Sequence, residues 1–367
     1  MAYEVLGGLS FHGYDPEAER EAKLRLDHIA KPLDGLGSFE TAVCRIAGMQ
    51  GSDAPDISKR IVVMMCADNG IVEAGVAQSS YDVTAKVAAA MSEGEASVCL
   101  MAEKAGIDTL PVDIGIKERD GLSETRELTS DGKGHYRLLS CNIAEGTDNF
   151  AEAPAMTEAE FLKAVRTGIE LTEKLTQMGY KLICTGELGI GNTTTSAALS
   201  AAILHLTAEE TAGRGAGLDD EGYKRKLGVI DSALKEHDLY RAAPEEAARI
   251  VGGLDIAALA GMFIGGAVYG VPVVIDGVIS GTAALLAYKM CPEAVKYMLA
   301  SHMGDERAMR YIMRELGLDP VIRAGMKLGE GTGAVMLVPL LDMAFSVYSY
   351  GKTFDDIKVG QYERTEH

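Results

Sequence analysis

Five short apolar runs, each breaking into an acid or a glycine, recur along the chain: RIVVMMCADNG (60–70), TLPVDIGI (109–116), YKLICTGELG (180–189), VPVVIDG (271–277) and KYMLASHMGD (296–305). Most are rich in β-branched residues, and helical patterns separate them, such as VTAKVAAAMSEGEASVCLMAEKAG (83–106) and EAEFLKAVRTGIELTEKLTQMG (158–179). Strands that reach their neighbours through helices pair in parallel, so the pattern predicts an α/β fold: a mostly parallel, Rossmann-like sheet with helices on both faces. Ligands of such sheets gather beyond the carboxyl ends of the strands. Asp68, Asp113, Glu187, Asp276 and the segment Ser301 to Asp305 are therefore expected along one rim.

A chain of 367 residues with 47% hydrophobic content can bury a substantial core. The ends read as helical, PEAEREAKLRLDHIAKPL (16–33) and GTGAVMLVPLLDMAFSVYSYG (331–351), the second kinked near Pro339. The expected organisation is a large α/β nucleotide-binding and catalytic domain over about 41–330, with a small helical domain built from about 1–40 and 331–367. Residues 256–275 form an uncharged stretch of membrane-spanning length, but four glycines and Pro272 interrupt it and basic flanks are missing. It reads instead as a buried helix to about Ala267, a turn at Tyr269-Gly270 and a buried strand ending on Asp276, with Gly261 and Gly265 permitting close helix packing.

A net charge of −19 argues against nucleic acid or an anionic membrane as the partner, and leaves room for a small anion only where a pocket locally reverses the field. The N-terminus lacks the basic start and apolar core of a secretory leader, and six scattered cysteines without a CxxC pair suggest neither zinc nor disulfides. A cytoplasmic protein with reduced, buried thiols is the expectation.

Two loops carry the chemistry. In CTGELGIGNTTTSAAL (184–199), a strand passes through Gly186-Glu187-Leu188-Gly189-Ile190-Gly191-Asn192 into a helix starting near Thr193. A glycine turn feeding a helix N-terminus offers N–H groups and a positive dipole end to a phosphate, and the threonine hydroxyls add donors. The plainer reading is a tight turn with Asn192 as helix cap. KLGEGTGAVML (327–337) repeats the arrangement with Glu330 between Gly329 and Gly331. Two carboxylates on two such loops suggest a backbone-cradled phosphate beside an acid or base, and the paired acids of glycosidases, which work at an anomeric carbon, are the closest chemical parallel.

Eight segments in order resemble the nicotinate-nucleotide:dimethylbenzimidazole phosphoribosyltransferase family: KPLDGLGSFE (31–40), CADNGIVEAGVAQSSYDVTAKV (66–87), GTDNFAEAPAMT (146–157), GELGIGNTTTSAAL (186–199), VGGLDIAALAGMFIGGA (251–267), VVIDGVIS (273–280), SHMGDE (301–306) and LGEGTGA (328–334). The resemblance implies that a base nitrogen displaces nicotinate from nicotinate mononucleotide with inversion, giving an α-ribotide for the cobamide nucleotide loop, with no metal and no cofactor. It implies Glu330 as general base and Glu187 in positioning or charge stabilisation. Phosphate and nucleotide contacts fall to Gly189, Ile190, Gly191, Asn192, Thr193, Thr194, Lys226, Asp276, Ser301 and Gly331. For Lys226 the competing reading is a helix-surface lysine. Leu188 and Leu328 are the expected apolar wall of the base pocket, with Ser79 and Val87. The partners implied are nicotinate mononucleotide, an aromatic lower-ligand base and a second copy in a homodimer.

The chain departs from the family pattern in several places. Asn69 stands where the family often has histidine, Val87 where a glutamine is common, and Gly304 where a serine is usual, with Asp255 and Asp34 milder changes. These leave the base open among 5,6-dimethylbenzimidazole, a plainer benzimidazole, a purine and a phenol. A noncatalytic nucleotide-binding or partner subunit is the alternative of a different class, opposed by the presence of both glutamates. A transferase using phosphoribosyl pyrophosphate lacks its acidic strand end before a Gly/Thr loop, and a dehydrogenase lacks its dinucleotide fingerprint.

Overall fold

The computed structural model describes residues 6–215 and 217–363. Six parallel strands form one sheet: β1 (Arg60–Ala67), β2 (Asp108–Gly115), β3 (Leu139–Ser140), β4 (Leu182–Leu188), β5 (Val273–Ile275) and β6 (Met298–Ala300). Their order is β3-β2-β1-β4-β5-β6, the doubly wound arrangement in which strand order reverses between β1 and β4. The five apolar runs became β1, β2, β4, β5 and β6. The edge strand β3 was not foreseen, because two residues, neither β-branched, give no period.

Register brings the acidic strand ends level. Met65 of β1 lies opposite Glu187 of β4, and Cys66 lies opposite Asp113 of β2. The inner strands are buried along nearly their whole length, which is why they read as continuous apolar runs. The uncharged stretch is the helix Leu254–Tyr269 followed by β5, and the helix is buried on nearly every side. It packs on the helix Glu158–Gln177 so closely that a Cβ at Gly261 would stand 2.0 Å from the Val165 carbonyl oxygen.

Two expected helices are shorter than the pattern suggested. Residues 83–106 form two helices, Asp82–Ser92 and Ser97–Ala105, because the chain turns through Gly94 at φ +77°, a conformation that glycine adopts without steric cost. The N-terminal helix is Pro16–His28. Ile29 turns extended and bridges to Thr353, ahead of Pro32.

Besides the main core, a small apolar cluster joins Ala22, Leu26 and Ile29 to Val43, Cys44 and Ala47 and to Ala344 and Tyr348. It draws on the helices Pro16–His28, Ser38–Gln50 and Thr332–Tyr350, so the two chain ends pack together. The outermost residues of the expected helical unit, 1–5 and 364–367, lie outside the described residues. The helix Thr332–Tyr350 has the length and hydropathy of a membrane span, yet 56% of its most apolar window is buried within the protein. Its first half, through Ala334, Val335, Leu337, Val338 and Leu341, belongs to the main core.

Candidate active site

Two glycine loops meet beyond the carboxyl end of the sheet. One leaves β4 and enters the helix Asn192–Leu204 through Gly191; the other enters Thr332–Tyr350 through Gly331. They touch backbone to backbone: a Cβ on Gly186 would stand 2.4 Å from the Glu330 carbonyl oxygen. A Cβ on Gly329 would stand 2.8 Å from Glu187 Oε1. Glycine is thus what allows the loops to carry their two carboxylates into one place. Between the loops and the end of β5 lies a cleft of about 240 Å³, lined by Glu187, Leu188, Gly189, Ile190, Asn192, Thr193, Asp276, Leu328 and Glu330.

Glu187 is buried and accepts a hydrogen bond from Asn192 Nδ2. Burial, reinforced by the neighbouring charge of Asp255, pushes its carboxyl up to about 8. Glu330 is half-buried and holds φ +62°, left-handed without being glycine. Its Oε2 accepts from the backbone N–H of Val98 at 3.1 Å, in the first turn of the helix Ser97–Ala105. Burial raises the Glu330 carboxyl above the ordinary carboxylate range, and the Val98 N–H partly offsets this.

Asp276 lines the cleft, but its oxygens are turned onto the second loop, accepting from the N–H groups of Gly331 at 3.2 Å, Gly333 at 2.7 Å and Ala334 at 3.1 Å. It anchors the loop that carries Glu330. Lys226 is fully buried, and its Nζ donates to Thr193 Oγ1 at 3.1 Å, so it is no surface lysine. Burial pulls its ammonium down to about 8.

Other expected residues sit outside the cleft lining. Gly191 and Gly331 cap their helices, and Thr194 Oγ1 is buried without a hydrogen-bond partner among the described residues. Ser301 Oγ donates to the Ile275 carbonyl at 2.6 Å, which ties β6 to β5. Ser79 and Val87 are half-buried and are not among the residues lining the cleft; Val87 packs on the main core. Asn192 is not the helix cap: Gly191 holds that position, and the Asn192 side chain is spent on carboxylates instead. Leu188 is half-buried and Leu328 is 53% exposed at the cleft mouth.

Sequence reasoning missed two participants. Asp255 is fully buried and accepts from Asn192 Nδ2 at 3.3 Å. Val98 supplies its N–H only because the 83–106 pattern breaks into two helices. The one available signal for Asp255 was an acid at the head of an otherwise uncharged helix.

The cleft side chains do not reverse the protein's negative field. Glu187, Asp276, Asp305, Glu306 and Glu330 line it, against Lys327. Its positive character comes from buried Lys226 behind Thr193 and from the N-termini of the helices Asn192–Leu204 and Val278–Met290, whose first residues line it.

An α/β sheet of this order, with a dipole-lined cleft flanked by two carboxylates, suits transfer of a phosphorylated sugar, and residues 11–359 match a family model described as phosphoribosyltransferase. A nicotinate-nucleotide–dimethylbenzimidazole phosphoribosyltransferase from Acetivibrio thermocellus is 39% identical over 339 residues, which cover 92% of this chain and 93% of the relative. The enzyme of the same name from Ruminiclostridium cellulolyticum is 38% identical over 350 residues, or 95% and 96% of the two chains. The crystal structure of CobT from Thermus thermophilus superposes with a TM-score of 0.85 at 34% identity, covering 95% of this chain and 100% of that one. The chain belongs to the nicotinate-nucleotide–dimethylbenzimidazole phosphoribosyltransferase family.

Proposed function

We propose that this enzyme transfers the phosphoribosyl group of nicotinate mononucleotide to 5,6-dimethylbenzimidazole or a related aromatic base, releasing nicotinate and an α-ribotide for cobamide nucleotide-loop assembly. The observation that carries the reading is the meeting of Glu187 and Glu330 on two touching glycine loops around one cleft. The phosphate lies at the N-terminus of Asn192–Leu204, within reach of Thr193 and Lys226. The flat base enters between Leu188 and Leu328.

A lone pair on the base nitrogen forms the bond to the anomeric carbon as the bond to the pyridinium nitrogen breaks. The bonding pair leaves with nicotinate, whose ring nitrogen becomes neutral, and the azole N–H proton passes to Glu330. Because the leaving group departs as a neutral ring, the protein's tasks are alignment, charge stabilisation and acceptance of that one proton. Glu187 faces the cationic sugar.

The enzyme works in the cytoplasm on small molecules, with neither nucleic acid nor membrane as partner, in keeping with its charge of −19. It assembles as a homodimer, for which the exposed Met336, Met343 and Tyr350 of one helix face, with Leu100 on the adjoining helix, supply apolar surface. Sedimentation at micromolar concentration checks the dimer.

The test of function is nicotinate release from nicotinate mononucleotide across benzimidazoles, purines and phenols, with mass analysis of the ribotide. Base-dependent nicotinate and an α-ribotide are expected. Folded protein that releases none with any base sinks the proposal.

A further inference from the structure

Asn192 joins two buried acids. Its Nδ2 donates to Glu187 Oε2 and, at 3.3 Å, to Asp255 Oδ2. The three residues come from the end of β4, the first residue of the helix Asn192–Leu204 and the first turn of the helix Leu254–Tyr269. The other oxygen of Asp255, Oδ1, is buried with no hydrogen-bond partner among the described residues. It lies beside Gly253, where a Cβ would meet both Asp255 Oδ1 and Asn69 Oδ1, so the two oxygens border the same side-chain-free space. Asn69 Oδ1 already accepts from Thr195 Oγ1 at 3.0 Å.

A buried carboxyl oxygen that no donor reaches costs less when it carries a proton than when it carries charge. Charge argues the same way. The groups that bear on this pair from neighbouring elements are acids: Asp68 beyond β1, Asp276 beyond β5 and Glu330 on the second loop. The groups that favour the anions are all neutral, the Asn192 amide and the backbone N–H groups of Asp255 and Ile256 at the head of their helix, and no cation among the described residues stands with them, so the two carboxyls share a proton and titrate as a unit.

We propose that Asp255 is a positioning residue for Glu187: through the Asn192 amide it holds the Glu187 carboxyl in place, and the pair carries a single proton. A cation in the cleft draws that proton to Asp255 Oδ1, the oxygen that borders Asn69, and leaves the negative charge on Glu187 facing the sugar. Asp255 itself touches no substrate. The orientation of Asn192 follows, because only its NH2 group can serve both carboxyls. The inference rests on the reading that Glu187 faces the bound nucleotide, so its test includes a measurement that needs no turnover.

That measurement is the ionisation of Glu187, followed by NMR in protein carrying 13C at the glutamate carboxyls and assigned with Glu187→Gln. Asp255→Asn keeps the shape and the donor of the protonated acid while removing its charge. It is expected to fold normally and to lower the pH at which Glu187 ionises by about one unit, a tenfold change in acid constant. Asn192→Ala, which removes a donor to the carboxylate, is expected to move it the opposite way, and supplies the test should Asp255→Asn not fold. The pH profile of kcat/KM follows the NMR shift in Asp255→Asn, and Asp255→Glu restores both.

A Glu187 ionisation unmoved by Asp255→Asn overturns the proposal. For Asn192→Ala, an ionisation that stays in place or moves downward overturns it equally. An NMR shift that kcat/KM does not follow leaves the proton-sharing pair standing and overturns instead the placement of Glu187 beside the reacting sugar.

Discussion

Glu330 Oε2 is held 3.1 Å from the backbone nitrogen of Val98, a residue 232 positions away in sequence. The carboxylate thus completes the N-terminus of a helix it does not belong to, and that N–H opposes the rise in proton affinity that burial imposes. A base parked in this way has a defined rotamer before substrate arrives. Glu330→Gln keeps the acceptor for Val98 and removes the proton sink. Turnover should fall by roughly 10²-fold or more with nucleotide affinity nearly unchanged, measured by steady-state kinetics and by calorimetric titration of nicotinate mononucleotide. Unchanged kcat at saturating substrate removes Glu330 from the role of base.

The two raised carboxyls predict how stability varies with pH. Glu187 goes from an ordinary 4.5 up to about 8 and Asp255 from 3.8 up to about 7, chiefly through burial. Across that window the folded protein holds protons that the unfolded chain has released, two on the pair at its acid end and the single shared one between about 7 and about 8, so their stabilisation is full below the unfolded values and is lost as pH rises through the folded ones. The melting temperature should decline from acid toward pH 8, and Glu187→Gln should flatten the decline. A wild-type curve flat over this window contradicts the burial of these charges.

Lys226 predicts the reverse slope at higher pH. Burial lowers its pKa from 10.5 to about 8, so between those values the unfolded chain binds the extra proton and this group's contribution to stability rises with pH. Nucleotide binding should weaken as pH passes about 8, because the neutral amine no longer pairs with a phosphate. Lys226→Met, similar in length and without the charge, should weaken nicotinate mononucleotide by roughly tenfold or more while leaving the fold intact. Equal affinity for wild type and variant by equilibrium titration would place the phosphate elsewhere.

Much of the frame was legible because it is local. The βα alternation, the acidic strand ends, the buried helix before Asp276 and both glycine loops are each written within about a dozen consecutive residues. What escaped is long-range. Lys226 was tied to the site only by resemblance, and neither its bond to Thr193, nor the Val98–Glu330 bond, nor the Glu187–Asn192–Asp255 bridge leaves a periodic trace. Ser79 and Val87 stand differently: the resemblance gives both positions a role in the base pocket, and neither is among the residues that line the cleft. The helix break at Gly94 was misread because the apolar spacing continues across it, and that break is what creates the N-terminus on which Glu330 rests.

Asp276 makes an energetic prediction distinct from a catalytic one. Its carboxylate serves three backbone N–H groups at the start of Thr332–Tyr350, within the reach of that helix dipole. Asp276→Ala strands those buried donors and should cost about 3 kcal/mol of stability, read by urea denaturation. Asp276→Asn, which keeps one acceptor oxygen, should cost less. Should both variants unfold at the wild-type urea concentration, the loop is held by something other than Asp276.

The contact between the two loops can be tested by one methyl group. Gly186 lies in β4 directly under the Glu330 carbonyl, where an added Cβ would stand 2.4 Å from oxygen and 2.8 Å from the carbonyl carbon. Neither atom is the end of a flexible side chain, so Gly186→Ala must push the second loop away from the first. The phosphate end of the cleft, at Thr193 on the helix that the first loop enters and at Lys226 on the helix Asp220–Glu236, takes nothing from the second loop and should be disturbed less. The variant should therefore lose turnover by roughly tenfold or more while its dissociation constant for nicotinate mononucleotide changes only a few-fold, because a misplacement of about 1 Å is enough to cost rate. If affinity and turnover fall together, the two loops form one binding surface. If neither falls, the carboxylates on these loops do not act on the same sugar.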